Sequence, residues 1–146
     1  KIMIITKATL DNLQDILKIE ESVFAHPWSL DSLKNLLEDE KSVTFIAVDN
    51  NTICGYCGLN TILDEGYITN VAVLESYRRQ GIGKLLVNAL IDFANEKNLA
   101  FLTLEVRKSN TPAINLYKNN GFEDVGERKN YYTSPLENAL LMTKYF

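Results

Sequence analysis

Histidine, cysteine, proline and tryptophan are all scarce in this chain, with one, two, three and one residues respectively among 146. The single imidazole, His26, lies far in sequence from Cys54 and Cys57, so cysteine and histidine cannot assemble a four-ligand zinc site. No metal is expected. Two cysteines are also too few for a stapled mini-protein, and a chain this long buries roughly two thirds of its unfolded surface without such help. No apolar run approaches the roughly 18 residues of a spanning helix, and Ile2-Met3-Ile4-Ile5 falls short of the about 7 to 15 of a signal-peptide core. A cytoplasmic protein with no membrane partner is expected; because the first residue is Lys1 rather than Met, residues ahead of it are expected to have been lost, replaced or left out. Positive charge is not in excess either: 19 acidic side chains face 15 basic ones, for a net charge of −4. That balance argues against a nucleic acid held through its phosphates and suits a cationic partner better.

What is present is 46% apolar and 23% charged residues, the make-up of one globular domain over 1–146. No repeat, low-complexity tract or linker interrupts it. The C-x-x-C of Cys54 and Cys57 sits in Ile53-Cys54-Gly55-Tyr56-Cys57-Gly58-Leu59, which reads as a strand. Residues three apart on a strand point to opposite faces, so the two thiols are expected to pack rather than to bridge.

Hydrophobic spacing sets the element order. A strand at 2–7 precedes a helix carrying Leu13, Ile16, Leu17, Val23 and Phe24, with Thr9 or Asp11 as N-cap. Ala25-His26-Pro27-Trp28 interrupts it, and Ser29 caps a second helix bearing Leu30, Leu33, Leu36 and Leu37. Strands at 43–48, 53–62 and 67–73, with turns at 49–51 and 64–66, form an antiparallel meander. The period then shifts to 3.6 over 82–97, a helix, followed by Leu99 to Val106, a strand expected to be covered on both faces and parallel to 67–73. A short helix opened by Asn110-Thr111-Pro112 and closed by Gly121 leads to strands near 122–129 and 138–145. The expected fold class is α/β: a βααβββαβαββ order, with a mixed, mostly antiparallel sheet between layers of helices.

Between the strand at 67–73 and the helix at 82 stands Arg78-Arg79-Gln80-Gly81-Ile82-Gly83. Backbone N–H groups and the positive end of the helix dipole favour an anion there, and two glycines let a phosphate come close. A P-loop is excluded, because Lys84 is followed by Leu85 and no hydroxyl is placed for magnesium. A dinucleotide fingerprint lacks its third glycine at Leu86, although Glu105 lies near the right distance to keep that alternative open.

Val71-Ala72-Val73 followed by Arg78 to Gly83 resembles the acetyl-CoA-binding segment of the GNAT acetyltransferase superfamily, whose element order also matches. The resemblance implies that this loop, with Lys84, cradles the CoA pyrophosphate, while the strand backbone at Val71 to Val73 holds the pantetheine arm. Leu104 to Asn110, Ala113 to Tyr117, Gly121-Phe122 and Arg128-Lys129-Asn130-Tyr131-Tyr132 are similar to the RimI-type N-terminal alanine acetyltransferases. These acetylate the α-amine of a small-subunit ribosomal protein, which implies a protein N-terminus as partner.

An α-amine, with a pKa of about 7.7–8.0, is mostly protonated near neutrality and needs a base before it can attack a thioester. Glu105 is a carboxylate in an apolar run, where partial burial would raise its pKa; the resemblance makes it the proton acceptor, the plainer role being an ion pair with Arg107 or Arg128. Tyr117 is by resemblance the general acid and a cofactor contact, and by composition alone a core aromatic beside Leu116 and Phe122. Asn110 is by default a helix cap, to which the resemblance adds a CoA contact. Pro27 and Trp28 occupy the place of the acceptor-facing loop, and Tyr131 and Tyr132 that of the peptide clamp; His26 is given no catalytic role. The implied activity is acetyl transfer from acetyl-CoA to a protein N-terminus, in a ternary complex without a covalent acyl-enzyme. The alternatives are a small amine acceptor, such as a polyamine or amino sugar, and a non-catalytic CoA- or nucleotide-binding module.

Overall fold

The computed structural model describes residues 3–146, so Ile2, the first residue of the expected opening strand, lies outside them. The elements follow the expected order: β1 Met3–Lys7, α1 Leu13–Val23, α2 Leu30–Glu38, β2 Ser42–Asp49, β3 Thr52–Ile62, β4 Glu65–Val73, α3 Ile82–Glu96, β5 Phe101–Arg107, α4 Thr111–Asn119, β6 Glu123–Thr133 and β7 Leu136–Tyr145. One sheet runs β1-β2-β3-β4-β5-β7-β6, antiparallel throughout except for the β4–β5 pair.

The apolar stripes of α1 and α2 bury Ile16, Ile19 and Leu33 against Ile46, Tyr56 and Ala72 on one face of the sheet. On the other face α3 buries Ile82, Leu86, Val87 and Leu90 over Ala47, Cys57, Leu102 and Leu104. Truncating a fully buried leucine such as Leu33 or Leu86 to alanine costs about 2–5 kcal/mol. Ser29 caps α2 as expected, its Oγ accepting from the Ser32 amide at 3.1 Å. Thr9, not Asp11, is the first cap, and it caps a 3-10 turn at Leu10–Asn12 that leads into α1; Phe24 lies just past the helix end.

Four expectations change. The β3–β4 turn falls at Leu63-Asp64, with Leu63 in the left-handed region at φ 56°, so β4 already begins at Glu65. β5 is fully buried only at Leu102, Leu104 and Val106, while Phe101, Thr103, Glu105 and Arg107 are half-buried on its other face. β6 and β7 extend to a tight turn at Ser134-Pro135, which places Tyr131 and Tyr132 on a strand. Cys54 and Cys57 both pack in the cluster beneath α3, because a register shift between Ala47 and Val48 inserts Cys54 as an extra residue on β3. Both are buried thiols.

A second shift, between Gly58 and Leu59, makes Thr69 the extra residue on β4. β4 pairs with β5 only at Glu65, Gly66 and Tyr67. Beyond Tyr67 the two strands part.

Candidate active site

The parting strands open a cleft of about 300 Å³. Its walls come from six segments: Glu20 on α1, Trp28 on the α1–α2 loop, Asn70 and Val71 on β4, Glu105 on β5, Tyr117 on α4, and Tyr132 on β6. Glu105 and Tyr117 thus meet at one cavity from separate elements.

Glu105 projects from the half-buried face of β5. Arg128 on β6 brings its Nε to 3.8 Å from one carboxylate oxygen, so the ion pair goes to Arg128 and not to Arg107. With Arg128 more than half exposed, such a pair contributes only about 0–1 kcal/mol. The Tyr131 hydroxyl donates toward the same carboxylate, and this bond, more than burial, pushes the phenol up to about 12.

Tyr117 is buried, its ring edge-on to Phe122 at 5.6 Å between centroids. Burial pushes its phenol well above the ordinary tyrosine range. No hydrogen bond is made at its hydroxyl among the described residues, so the apolar packing expected from composition coexists with an unpartnered phenol at the cleft wall. Asn110 caps α4, accepting from the Ala113 amide at 3.2 Å, and also lines the cleft.

Tyr131 and Tyr132 stand perpendicular with ring centroids 5.0 Å apart; Tyr132 lines the cleft and Tyr131 is half-exposed. Arg107 holds this hairpin in place. Its guanidinium donates to the Pro135 and Ser134 carbonyls at 2.9 and 3.3 Å, bonds Glu137 at 3.1 Å, and lies 4.3 Å from the Tyr132 ring centre. The α1–α2 loop presents Phe24, His26 and Trp28 to the cleft, whereas Pro27 is exposed on the same loop and does not line it.

At the end of β4, Arg79 and Gly81 take left-handed φ of 63° and 78°, and no side chain caps the first turn of α3. Its leading amides point out uncapped, as an anion site requires. Arg78 turns back, its Nε donating to the Val73 carbonyl at 3.2 Å. Gln80 and Lys84 are exposed and Ile82 is buried, so any contact from Ile82 is through its backbone. Gly81 serves the backbone, but Gly83 serves packing: a Cβ there would lie 3.2 Å from Leu116 Cδ2. Past Tyr67, the edge of β4 turned toward β5 has no strand partner, and Val71, Ala72 and Val73 lie along it. A free backbone edge running into an uncapped helix start fits an extended amide chain ending in phosphates, as in CoA.

Sequence reading missed Glu20, Thr69 and Asn70. Glu20 is fully buried yet accepts three hydrogen bonds, and its place four residues after Ile16, on the buried stripe of α1, was the available signal. Thr69 and Asn70 gave none, because the bulge that re-aims them breaks the strand period.

A split sheet, an uncapped glycine turn, and a carboxylate and a phenol lining one cleft are the parts that acyl transfer from a CoA thioester would use. The chain belongs to the acetyltransferase (GNAT) family, whose model matches residues 11–122. It is 38% identical over 145 residues to the [ribosomal protein bS18]-alanine N-acetyltransferase of Haemophilus influenzae, covering 97% of this chain and 98% of that one. The protein of the same name from Escherichia coli (strain K12) is 36% identical over 126 residues, 85% of this chain and 84% of the other. The crystal structure of the Escherichia coli ribosomal-protein-S18-alanine N-acetyltransferase superposes with a TM-score of 0.92 at 33% identity, covering 99% of this chain and 94% of that one. The chain is therefore an acetyltransferase of the GNAT fold. Among the described residues, no helix is long and apolar enough to cross a membrane.

Proposed function

We propose that this chain acetylates the α-amine of the N-terminal alanine of ribosomal protein bS18, working in the cytoplasm with acetyl-CoA as donor. The observation that carries the proposal is the meeting of the Glu105 carboxylate and the unpartnered Tyr117 hydroxyl on one cleft. The names of the relatives at 36–38% identity support the acceptor.

The amides opening α3 and the free edge at Val71 to Val73 hold the cofactor, with Arg79 and Lys84 adding charge. When bound, acetyl-CoA supplies the acetyl group as an activated thioester. Glu105 takes the proton that the α-ammonium must lose before its nitrogen can attack. Tyr117 keeps its phenolic proton throughout the neutral range, because burial raises its pKa, and can deliver it from Oη to a leaving thiolate. Trp28 and Tyr132 flank the acceptor's path, and Tyr131 steadies Glu105 from the solvent side.

The test is acetylation of a peptide beginning Ala-Arg, followed by mass, with spermidine and an amino sugar as competing acceptors. Modification confined to the peptide α-amine is expected. Glu105→Gln should lower kcat by about 10²–10⁴-fold while acetyl-CoA still binds. Turnover of a small amine with none of the peptide would overturn the acceptor assignment, and full activity in Glu105→Gln would remove the base.

A further inference from the structure

Glu20 takes no part in the proton transfers above, yet it is the one charged side chain of the described residues that is completely buried at the cleft. One oxygen accepts from the Trp28 amide at 2.9 Å. The other accepts from the Tyr56 hydroxyl and from Asn70 Nδ2, the latter at 3.0 Å. These partners sit on the α1–α2 loop, β3 and β4, so a single carboxylate ties the acceptor-side loop to the sheet beneath the cleft. The backbone bonds at the ends of the loop, Phe24 N–H to Glu20 O and Leu33 N–H to Ser29 O, both 3.0 Å, do not reach residues 25–28, so the Trp28 N–H to Glu20 bond adds a directional tie to the packing of Phe24 and Trp28 on the core beneath α1. A buried carboxylate is costly unless its lone pairs are satisfied, and here three donors satisfy them.

We propose that Glu20 is the positioning residue of the acceptor site: it sets Trp28, and with it the loop wall, at the distance that admits a peptide N-terminus. The proposal deepens the acetyl-transfer reading and rests on it for the identity of the acceptor. What matters is reach and acceptor geometry. Glu20→Gln keeps the length and an oxygen for the Trp28 amide, and its new N–H₂ can meet Asn70 Oδ1, which is buried without a partner, once that amide turns over. Glu20→Asp keeps the charge but stops one methylene short.

Trp28 is the sole tryptophan, so its fluorescence reports on the loop alone. Glu20→Asp should raise the KM for the Ala-Arg peptide about tenfold, as loss of one charge-assisted hydrogen bond implies, with the KM for acetyl-CoA within about twofold. It should also raise acrylamide quenching of Trp28, whereas Glu20→Gln should leave both near the unaltered protein. Equal rises in the two KM values, an unchanged peptide KM, or a Gln variant as damaged as Asp would overturn the proposal. A measurement on the unaltered protein stands independently of whether any variant folds: the Trp28 amide should exchange with solvent deuterium far more slowly than those of Ala25 and His26, and equal rates would overturn it too. Quenching and exchange need no turnover. A protein that acetylates no peptide yet shows the protected Trp28 amide therefore loses the acceptor assignment and not the clamp.

Discussion

Two buried tyrosines of this fold should rank in opposite order for stability and for activity under the same substitution. Tyr117 has an unpartnered hydroxyl at the cleft wall, while the Tyr56 hydroxyl is sealed in the core and bonded to Glu20. Tyr117→Phe removes no hydrogen bond and keeps the ring against Phe122. An unsatisfied hydroxyl costs about 1–3 kcal/mol when fully dry, and hydration from the cleft reduces that, so the change in stability should stay within about 1 kcal/mol. For a chain of this size that is about 2–4 °C in Tm, with a rise as plausible in sign as a fall. Tyr56→Phe deletes a donor from a buried carboxylate and should cost about 1–3 kcal/mol, always as a fall. Activity should order the other way. Loss of the proton held by Tyr117 should cut kcat by about 10²–10⁴-fold, or about 3–5 kcal/mol in the barrier, with acetyl-CoA binding unchanged. Thermal melts and thiol release with the Ala-Arg peptide read both quantities. A Tyr117→Phe protein that melts several degrees lower, and loses activity only in step with its folded fraction, would make Tyr117 a core aromatic and nothing more.

Removing the Arg107 guanidinium frees the Ser134-Pro135 turn and the Tyr132 ring together, so Arg107→Ala should destabilise by about 1–3 kcal/mol and raise the peptide KM without touching that of acetyl-CoA. An equal effect on both substrates in steady-state kinetics would refute it. The buried phenols also predict alkaline weakness. Tyr56 and Tyr117 have pKa values raised by burial, so the folded chain keeps protons that the unfolded chain releases near pH 10. Their contribution is complete below about pH 10 and is lost as pH rises further toward the folded values. Urea midpoints should therefore fall steeply above about pH 10, and less steeply in a Tyr56→Phe/Tyr117→Phe double variant; parallel curves would refute the linkage.

The parts of this fold that were legible in sequence are those where a local rule meets a matching environment. Ser29 and Asn110 cap α2 and α4, Gly121 takes φ 89° after α4, and the apolar stripe of α3 becomes the lid of the larger core. The misplaced parts have two causes. Cys54 and Thr69 sit where an extra residue breaks the two-residue strand period, so any face assigned by alternation is wrong beyond them. Most of β6 is exposed at the sheet edge and has no apolar rhythm to reveal how far it runs. The loop residues were found from the glycines, but Gly83 earns its place against Leu116 and not from ligand approach. That Glu105 and Tyr117 meet depends on how far β4 leans from β5, which no spacing along the chain encodes.

That lean has a local origin that can be tested. β4 last pairs with β5 at Tyr67, and the bulge follows at Thr69, where an extra residue increases the strand's twist and turns it away from its parallel neighbour. The bulge in turn needs room on β3. A Cβ at Gly58 would stand 2.5 Å from Thr69 Oγ1, closer than side chains approach, and a tight 3.2 Å from Leu36 Cδ2. Gly58→Ala should therefore push against the bulge itself and lower stability and acetyl transfer together. Thr69→Ala deletes the clashing oxygen and leaves the Thr69 Cβ at 3.9 Å, an ordinary contact. Combining the two should recover much of the loss, with a coupling of about 0.5–3 kcal/mol in a double-mutant cycle of urea midpoints. Additive effects would mean that Gly58 and the bulge are independent, and the opening of the cleft would then need a cause elsewhere on β5 or α4.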